Sequence, residues 1–407
     1  MKRRYVDPFT PDLPIDSWER FSGRKEEMDS VIDSLFQLSN LNPKHTIITG
    51  DRGIGKSSVL TQIKKIAEGD SGLATKLDID LGVEKHNFLC AWHDCTTDQT
   101  PLVLATGILS QFQNDFTSLI SKFKLELNIS GILKIGKKEQ NLGTVGEIVE
   151  LFCKELSKIA KAAQAEHKSG VILFFDELDR VNPNSGVATF FKLSAERLSR
   201  DGVKNIAFFA AGITGAIQSL EEEHGSIYRT FKDVPLPRLE EDEVEEILST
   251  GFGTAKHTYD SSIVIETHRI CAGYPEPVHL LGSQMLKSDD DSHIDDSDFN
   301  KATKEVVETL RKNKLSSTLK SAGSGKYQLI LKAMAKFDGP NVPLSYISNE
   351  IGYEQNQYST NMANLVKRDI ISQVDRGVYC FVDPLLKEYI SRFGIIKIDE
   401  EPDNTED

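Results

Sequence analysis

The chain has 407 residues, of which 39% are hydrophobic and 27% charged, the composition of a globular protein long enough for two or three domains. Its formal net charge of −14 argues against a protein that coats nucleic acid along its whole surface. A basic face confined to one region is still compatible with this charge.

Five cysteines are scattered along the chain, at Cys90, Cys95, Cys153, Cys271 and Cys380. They form no CxxC pair, and His93 beside Cys95 lacks a second pair of ligands at zinc spacing. We therefore expect reduced thiols. The basic N-terminus has no apolar stretch of a signal peptide behind it, and no apolar run approaches the ~18 residues of a membrane helix. The sequence thus predicts a cytoplasmic protein with no membrane partner.

The first half of the sequence alternates strand-like and helix-like segments. A flexible, extended arm rich in Pro and Asp is predicted over 1–18, and a helical stripe begins near Arg24. Apolar strand-like segments follow at 45–50, 87–92, 170–177, 205–212 and 232–237, and helical segments at 57–68, 102–124, 145–165 and 186–199. Several strands are apolar at consecutive positions, as strands covered on both faces are. This order predicts an α/β core over 19–237 with a parallel sheet between helices, while the alternation over 125–138 predicts an inserted hairpin.

The second half has a different pattern. After Pro237 the strands stop, and a helical region is predicted over 238–311. A linker rich in Ser, Gly and Lys follows at 312–325. Residues 326–393 are predicted to form three helices, two strands and a last helix, the order of a winged helix-turn-helix. The acidic tail at 394–407 is predicted to be disordered.

A phosphate-binding loop is predicted at residues 50–57, which match the pattern GxxxxGK[ST] between a strand and a helix. The glycines let successive backbone N–H groups curl around phosphate, and the helix N-terminus adds its positive end. Lys56 is expected to reach the β- and γ-phosphates, and Ser57 to hold Mg²⁺. The predicted nucleotide-binding residues here are Gly50, Asp51, Arg52, Gly53, Ile54, Gly55, Lys56, Ser57 and Ser58.

Two adjacent carboxylates end the buried strand at 170–177. The C-terminal end of a strand is where an α/β sheet places its ligands, so Asp176 is expected to support Mg²⁺ through a water. Glu177 is expected to polarise the water that attacks the γ-phosphate. Adjacent carboxylates at a strand end are otherwise often a turn, but their combination with the phosphate-binding loop predicts nucleotide hydrolysis.

Two further residues are candidates for the catalytic site. Thr214 follows the fourth strand and is expected level with the γ-phosphate, where it could orient the attacking water. The alternative is a threonine that caps a helix or turn. Arg229, just before the fifth strand, is placed to reach a neighbouring subunit's nucleotide as an arginine finger, and the alternative is a lone surface arginine.

Five segments in this order make the sequence resemble a known family: 21–35 (FSGRKEEMDSVIDSL), 50–58 (GDRGIGKSS), 174–180 (FFDELDR), 212–215 (GITG) and 273–282 (GYPEPVHLLG). Together they resemble the AAA+/STAND-type P-loop ATPases, close to the archaeal origin-recognition initiators and to bacterial STAND proteins. The resemblance covers about residues 20–310 and implies a P-loop NTPase core with a helical lid and a C-terminal winged helix. It also implies that Phe21 to Arg24 lie against an adenine, so that the nucleotide is ATP or ADP.

The segment at 273–282 differs from many AAA+ lids, in which an arginine at the start of the last helix contacts the γ-phosphate. Tyr274-Pro275-Glu276-Pro277 contains no arginine. It resembles the Gly-x-Pro module of STAND proteins, which implies that Tyr274 and Pro275 form a rigid wall near the adenine. Gly273 permits the turn and Pro275 fixes φ. The alternative is that the prolines occupy the first turn of an ordinary helix.

The sequence leaves two uses of the ATP state open. In one, the winged helix docks on duplex DNA: the helix at 355–368 is rich in Gln, Asn, Ser and Thr, which read base edges. Lys367, Arg368 and Arg376 would then meet phosphates. In the other, ADP locks the winged helix against the core, ATP releases it for homo-oligomerisation, and a separate effector protein responds.

The missing lid arginine favours a slow nucleotide switch over a fast motor. A bacterial defence system (antiviral defence), a mobile element or a replication system is the suggested context. A small-molecule kinase fits poorly because no acceptor-binding constellation is visible in the sequence.

Overall fold

A computed structural model describes residues 6–9, 11, 13–136, 142–213, 220–221, 223, 225, 227–310, 323 and 325–393. The chain divides into two compact units, Pro14–Pro237 and the combination of Met1–Leu13 with Arg238–Asp407. Apart from Gly323 and Gly325, the predicted linker at 312–325 lies outside the described residues, as does the predicted tail at 394–407. No helix among the described residues is long and apolar enough to cross a membrane.

The unit Pro14–Pro237 is built on a five-stranded sheet in the order β2-β3-β4-β1-β5, with every pair of neighbours parallel. Its strands are β1 His45–Thr49, β2 Phe88–Asp94, β3 Gly170–Asp176, β4 Ile206–Gly212 and β5 Phe231–Pro235. Its α-helices are α1 Lys25–Ser39, α2 Lys56–Glu68, α3 Gly72–Lys76, α4 Pro101–Asp115, α5 Thr117–Lys122, α6 Ile129–Gly136, α7 Leu142–Ala165 and α8 Val187–Arg200. Short 3-10 helices cover Trp18–Arg20, Leu178–Arg180 and Ile227–Arg229.

The two strands β3 and β4 carry the core of this unit. Every residue of both strands is buried, because helices cover the sheet on both faces. Phe175 and Phe208 contact each other edge to face, and each also packs against Phe191 of α8. This architecture confirms the α/β fold with a parallel sheet that the consecutive apolar residues predict.

The predicted hairpin at 125–138 is wrong. Ile129–Gly136 form the helix α6, which packs against α4 and α7. The Asn128 side-chain oxygen accepts a hydrogen bond from the Gly131 N–H at 3.0 Å, so the asparagine caps the start of this helix. The apolar residues that produce the alternating pattern in the sequence pack against the core of the unit: Leu125, Leu127 and Ile129.

Part of the segment predicted as a flexible arm is fastened to α2. The Ile15 N–H donates to Ser58 Oγ at 2.9 Å, and Gln62 Nε2 donates to the Ile15 carbonyl at 2.9 Å. One turn further, Lys65 Nζ donates to the Asp16 carbonyl at 2.5 Å. Positions 58, 62 and 65 lie on one face of the helix, so residues 15 and 16 run along that face.

The second unit contains two groups of elements. The first comprises α9 Glu241–Ala255, α10 Ser262–Cys271, α11 Pro275–Ser288 and α12 Asp296–Leu310, with a two-stranded parallel pair β6 Thr258–Tyr259 and β7 His293–Ile294. The second comprises α13 Lys326–Lys336, β8 Val342–Pro343, α14 Leu344–Ile351, α15 Ser359–Lys367, β9 Ile371–Asp375, β10 Val378–Phe381 and α16 Pro384–Phe393. Its three strands form an antiparallel sheet in the order β8-β10-β9. This is the element order that the sequence predicts for a winged helix, with β8 as an additional short strand.

Phe9 belongs to the core of the first group rather than to a free arm. Its side chain is 3% exposed and contacts the rings of Phe252 and His279 edge to face. The ring lies so close to Gly251 and Gly282 that a Cβ atom on either glycine would overlap it. Two helices, α9 and α11, therefore leave a space of the size of one aromatic ring, and the N-terminal segment fills it.

Candidate nucleotide-binding site

The predicted phosphate-binding loop lies between the end of β1 and the start of α2. Gly53 and Gly55 have φ of 77° and 97°, in the left-handed region that favours glycine. A Cβ atom on Gly50 would lie 2.9 Å from Ile54 Cγ2 and 3.2 Å from the Leu236 carbonyl oxygen. The close packing around Gly50 and the backbone conformation at the other two positions therefore explain the three glycines of the motif.

Lys56, the first residue of α2, is turned into this loop. Its Nζ donates to the Gly50 carbonyl at 3.1 Å and to the Asp51 carbonyl at 2.8 Å. Burial lowers the pKa of Lys56, while the charges of Asp179, Asp176 and Asp51 oppose that shift. The ammonium group is therefore held at the loop in a strongly acidic surrounding.

Ser57 and Asp176 come together across the gap between α2 and β3. Asp176 Oδ1 accepts the Glu177 N–H at 2.8 Å. Burial raises the pKa of Asp176, while the nearby Ser57 hydroxyl and the Glu177 N–H oppose that shift. A hydroxyl beside a carboxylate is the oxygen donor set that Mg²⁺ takes together with substrate phosphates, so these residues fit the predicted metal site. Within the described residues, no group of three or more His, Cys, Asp or Glu side chains could hold a metal ion.

Glu177 follows in a left-handed conformation, with φ of 56°. Its carboxylate forms an ion pair with Arg180 at 2.7 Å, and its side chain is 39% exposed, so water reaches it. Burial raises the pKa of Glu177, and the Arg180 guanidinium lowers it. The residue predicted as the base is thus next to the predicted metal ligand and paired with a cation three residues further on.

Two acidic residues near this site are absent from the sequence-based prediction. Asp94 stands in register with Asp176 on the neighbouring strand, and its Oδ1 accepts a hydrogen bond from the Trp92 indole at 2.7 Å. Asp179 accepts the Ile213 N–H at 3.2 Å and so joins the turn after β3 to the end of β4. The strand predicted over 87–92 stops two residues short of β2, and extending it would have shown Asp94 at the same sheet edge.

Arg24 and Phe21 are buried, at 4% exposure each. The Arg24 guanidinium donates from Nη2 to the Ile54 carbonyl at 3.1 Å and from Nη1 to the Pro237 carbonyl. The Phe21 carbonyl accepts a hydrogen bond from Lys76 Nζ at 2.7 Å. The segment from 21 to 24 therefore reaches the phosphate-binding loop through the Arg24 side chain, while its predicted contact with an adenine stays a prediction.

The other predicted site residues of this unit lie on its surface, bond to the N-terminal segment or fall outside the described residues. The Ser58 hydroxyl accepts a hydrogen bond from the Ile15 N–H, and Arg52 is exposed. Arg229 is exposed and ends the 3-10 helix that precedes β5. Thr214 lies outside the described residues, so its predicted place near the γ-phosphate stays a prediction.

The predicted adenine wall belongs to the other unit. The Tyr274 side chain is 1% exposed, and the Arg238 guanidinium lies 4.9 Å from the centre of its ring. Pro275 is half-buried and begins α11, where proline is favoured. Gly273 has φ of 75° and packs against the Leu239 backbone. The Tyr274 ring is thus already covered within its own unit, which leaves Pro275 as the more accessible of the two.

The three predicted DNA contacts lie in the second group of elements. Lys367 is the last residue of α15, and it is exposed. The Arg368 guanidinium lies 5.2 Å from the centre of the Tyr327 ring. Arg376 is exposed in the turn between β9 and β10, and its N–H donates to Asp375 Oδ1 at 2.6 Å.

All five cysteines are buried and none is in a disulfide. Burial raises the pKa of the Cys95 and Cys153 thiols to about 12, so these side chains stay protonated at neutral pH. They are inert core residues.

Comparison with known proteins gives few sequence matches. A family model described as a domain of unknown function (DUF8462) matches residues 319–390. No curated protein matches the chain.

Solved structures match over most of the chain. The Walker-type ATPase PABY2304 of Pyrococcus abyssi is 19% identical with a TM-score of 0.57, and the match covers 93% of this chain and 99% of that one. Aeropyrum pernix Orc1, solved in complex with DNA, is 15% identical with a TM-score of 0.44, covering 93% of both chains. The RuvB Holliday junction branch migration motor of Thermotoga maritima is 14% identical with a TM-score of 0.41, covering 89% of this chain and 96% of that one. The similarity to PABY2304 shows that the chain has the fold of a Walker-type P-loop ATPase.

Proposed function

We propose that the chain binds ATP with Mg²⁺ at the loop 50–58 and hydrolyses it to ADP and phosphate. The observation that carries this proposal is the meeting of Lys56, Ser57, Asp176 and Glu177 at one edge of the parallel sheet. Lys56 supplies a positive charge for the β- and γ-phosphates, and the backbone N–H groups of the loop supply hydrogen bonds.

In the proposed reaction a water attacks the γ-phosphorus while Glu177 accepts a proton from it. The new bond joins the water oxygen to phosphorus, and the bond from phosphorus to the bridging oxygen of ADP breaks. Ser57 and Asp176 would hold Mg²⁺, which when bound neutralises charge on the phosphate oxygens. The Arg180 guanidinium lowers the pKa of Glu177 against the rise that burial causes, and so favours the ionised carboxylate that takes the proton.

The test compares ATP binding and ATP hydrolysis in three variants of the full chain. Lys56→Ala should weaken ATP binding by at least about tenfold, because charge-assisted hydrogen bonds to the phosphates are lost. Glu177→Gln should keep ATP binding within about threefold and lower kcat by about 100-fold or more. Lys64→Ala, in the middle of α2 and paired with Glu68, is the control and should change neither quantity. Full ATP binding by Lys56→Ala would refute the proposal.

We further propose that ATP drives association of the chain with itself. The exposed position of Arg229 just before β5 supports a contact with a neighbour's nucleotide. Light scattering of the Glu177→Gln variant should then show a larger species with ATP than with ADP, and Arg229→Ala should reduce hydrolysis per chain. A monomer under both nucleotides would exclude this role of Arg229.

Double-stranded DNA is a second candidate ligand, for the group 326–393. Lys367 and Arg376 are both exposed, and the exposed positions of α15 carry the small polar residues Ser359 and Thr360. A gel shift at several salt concentrations should show binding that weakens as salt rises, and a Lys367→Ala/Arg376→Ala variant should bind less. The matched control is Lys85→Ala/Arg200→Ala, at two exposed positions of the other unit. Absence of binding even at low salt would favour the signalling alternative, in which this group acts on a separate effector protein.

A further inference from the structure

Arg24 is a buried cation at the start of α1, far in sequence from the two groups that it binds. Its side chain donates to the carbonyls of Ile54, in the phosphate-binding loop, and of Pro237, the last residue of its unit. Its backbone is in the left-handed region, with φ of 66°, an uncommon conformation for a residue other than glycine. The backbone at this position directs a long side chain into the interior instead of along the surface of the helix.

The bond to Ile54 fixes the direction of one peptide group in the loop. No peptide bond among the described residues is cis, so the Ile54 carbonyl and the Gly55 N–H point in opposite directions. With the carbonyl held toward Arg24, the Gly55 N–H must point away from Arg24. Gly55, with φ of 97°, could otherwise let this peptide group rotate, since glycine accepts both signs of φ.

The bond to Pro237 gives Arg24 a fixed support. The Leu236 N–H donates to the Thr49 carbonyl at 2.7 Å, which ties the segment before Pro237 to the end of β1. Leu236 also packs against Gly50, the first residue of the loop. The guanidinium therefore spans from the sheet edge to the middle of the loop, and its planar arrangement of several N–H donors suits two carbonyls better than a lysine ammonium does.

We propose that Arg24 is a positioning residue, which holds the Ile54–Gly55 peptide group so that the Gly55 N–H faces the phosphates, and that it does not read the base. This inference rests on the proposed function, because it assigns a phosphate to the loop. It replaces the contact between Arg24 and an adenine that the family resemblance implies. The segment at 21–24 would then set the shape of the loop whichever base the nucleotide carries.

The experiment separates phosphate binding from base reading by using three ligands. The binding of ATP, GTP and inorganic tripolyphosphate, each with Mg²⁺, is measured for the full-length wild type, Arg24→Met and Arg24→Lys. Wild type must first bind ATP; if it does not, the proposed function fails before Arg24 is tested. Lys25→Met, at an exposed neighbour that pairs with Asp78 at 3.8 Å, is the control and should resemble wild type.

The proposal expects Arg24→Met to weaken all three ligands by a similar factor of about ten, with the ratio of ATP to GTP affinity unchanged. Arg24→Lys should also weaken all three, because one ammonium cannot hold both carbonyls in the guanidinium geometry. A loss confined to ATP, with tripolyphosphate binding unchanged, would show instead that Arg24 reads the base. Unchanged binding of all three ligands by a folded Arg24→Met variant would equally overturn the proposal. If Arg24→Met fails to fold, Arg24→Lys, which keeps the buried charge, decides between these outcomes.

Discussion

Asp94 and Asp176 stand opposite each other in register, at the ends of the parallel strands β2 and β3. The two carboxylates therefore leave the sheet at the same edge, one exposed and the other buried. Burial is the main cause that raises the pKa of Asp176 and of Glu177, and the charge of Asp94 adds to both shifts. A residue outside the nucleotide motifs thus tunes the proposed base.

Replacing Asp94 by Asn should make ATP hydrolysis less sensitive to acid. Removing a neighbouring negative charge lowers the pKa of Glu177, and Glu177 must be deprotonated to act as a base. The acidic limb of the plot of log kcat against pH should therefore move to lower pH. A limb that stays in place, or moves up, would show that Asp94 does not influence the group that limits the rate.

Replacing Arg180 by Gln should have the opposite effect. Its guanidinium lies 2.7 Å from the Glu177 carboxylate and opposes the rise of the Glu177 pKa that burial causes. Without it the pKa of Glu177 rises further, and the acidic limb of the kcat profile should move to higher pH. Arg200→Gln, at an exposed position at the end of α8, serves as the control and should leave the profile unchanged.

The stability of the Pro14–Pro237 unit should fall between pH 6.5 and about 4 because of His45. Burial lowers the pKa of His45 from 6.5 to about 4, and its Nδ1 accepts the Phe208 N–H at 3.1 Å only when unprotonated. The unfolded chain binds this proton near pH 6.5 and the folded chain does not, so up to about 3 kcal/mol of unfolding free energy is lost as the pH falls.

Urea unfolding at several pH values tests this expectation. His45→Asn, whose side-chain oxygen can accept the same N–H, should reduce the slope of stability against pH. Burial lowers the pKa of His86 to about 4 as well, so the slope should fall in the single variant and fall further with His86 also replaced. An unchanged slope in the double variant would contradict the assignment.

Replacing Phe9 by Ala should destabilise the unit formed by residues 1–13 and 238–407 by about 3–5 kcal/mol, because a large cavity remains between α9 and α11. Val6→Ala, at a position 91% exposed, should change the free energy of unfolding by less than about 0.5 kcal/mol. Both tryptophans, Trp18 and Trp92, belong to the other unit. Unfolding should therefore be followed by the helical circular dichroism signal, because tryptophan fluorescence reports on the unit Pro14–Pro237. Equal stability of the two variants would show that the Phe9 ring contributes little.

The elements around the candidate site that the sequence predicts correctly are those set by local conformation. The loop at 50–57 needs glycine at particular backbone angles and close contacts, and the strand before Asp176 needs apolar side chains on both faces. Both requirements appear as residue types at fixed spacing, so they can be read without knowledge of the rest of the molecule.

The parts that sequence misses depend on distant partners or on a single cap. Arg24 binds the Pro237 carbonyl across 213 residues, and no local pattern contains that information. The sequence pattern does not predict α6, because Leu125, Leu127 and Ile129 alternate with other residues as in a strand. The local sign of a helix is Asn128, which caps it. Tertiary packing decided both cases.

The packing of Phe9 between α9 and α11 also affects when this part of the chain can fold during synthesis. Asp7 bonds the Ser283 hydroxyl 276 residues away, so the N-terminal segment leaves the ribosome long before its binding partners exist. At usual rates of about 5–20 residues per second, roughly 14–55 s of synthesis separate the two. Throughout that interval the Phe9 side chain has no helices to pack against, so a segment that is synthesised earlier than its partners is among the last to reach its native contacts.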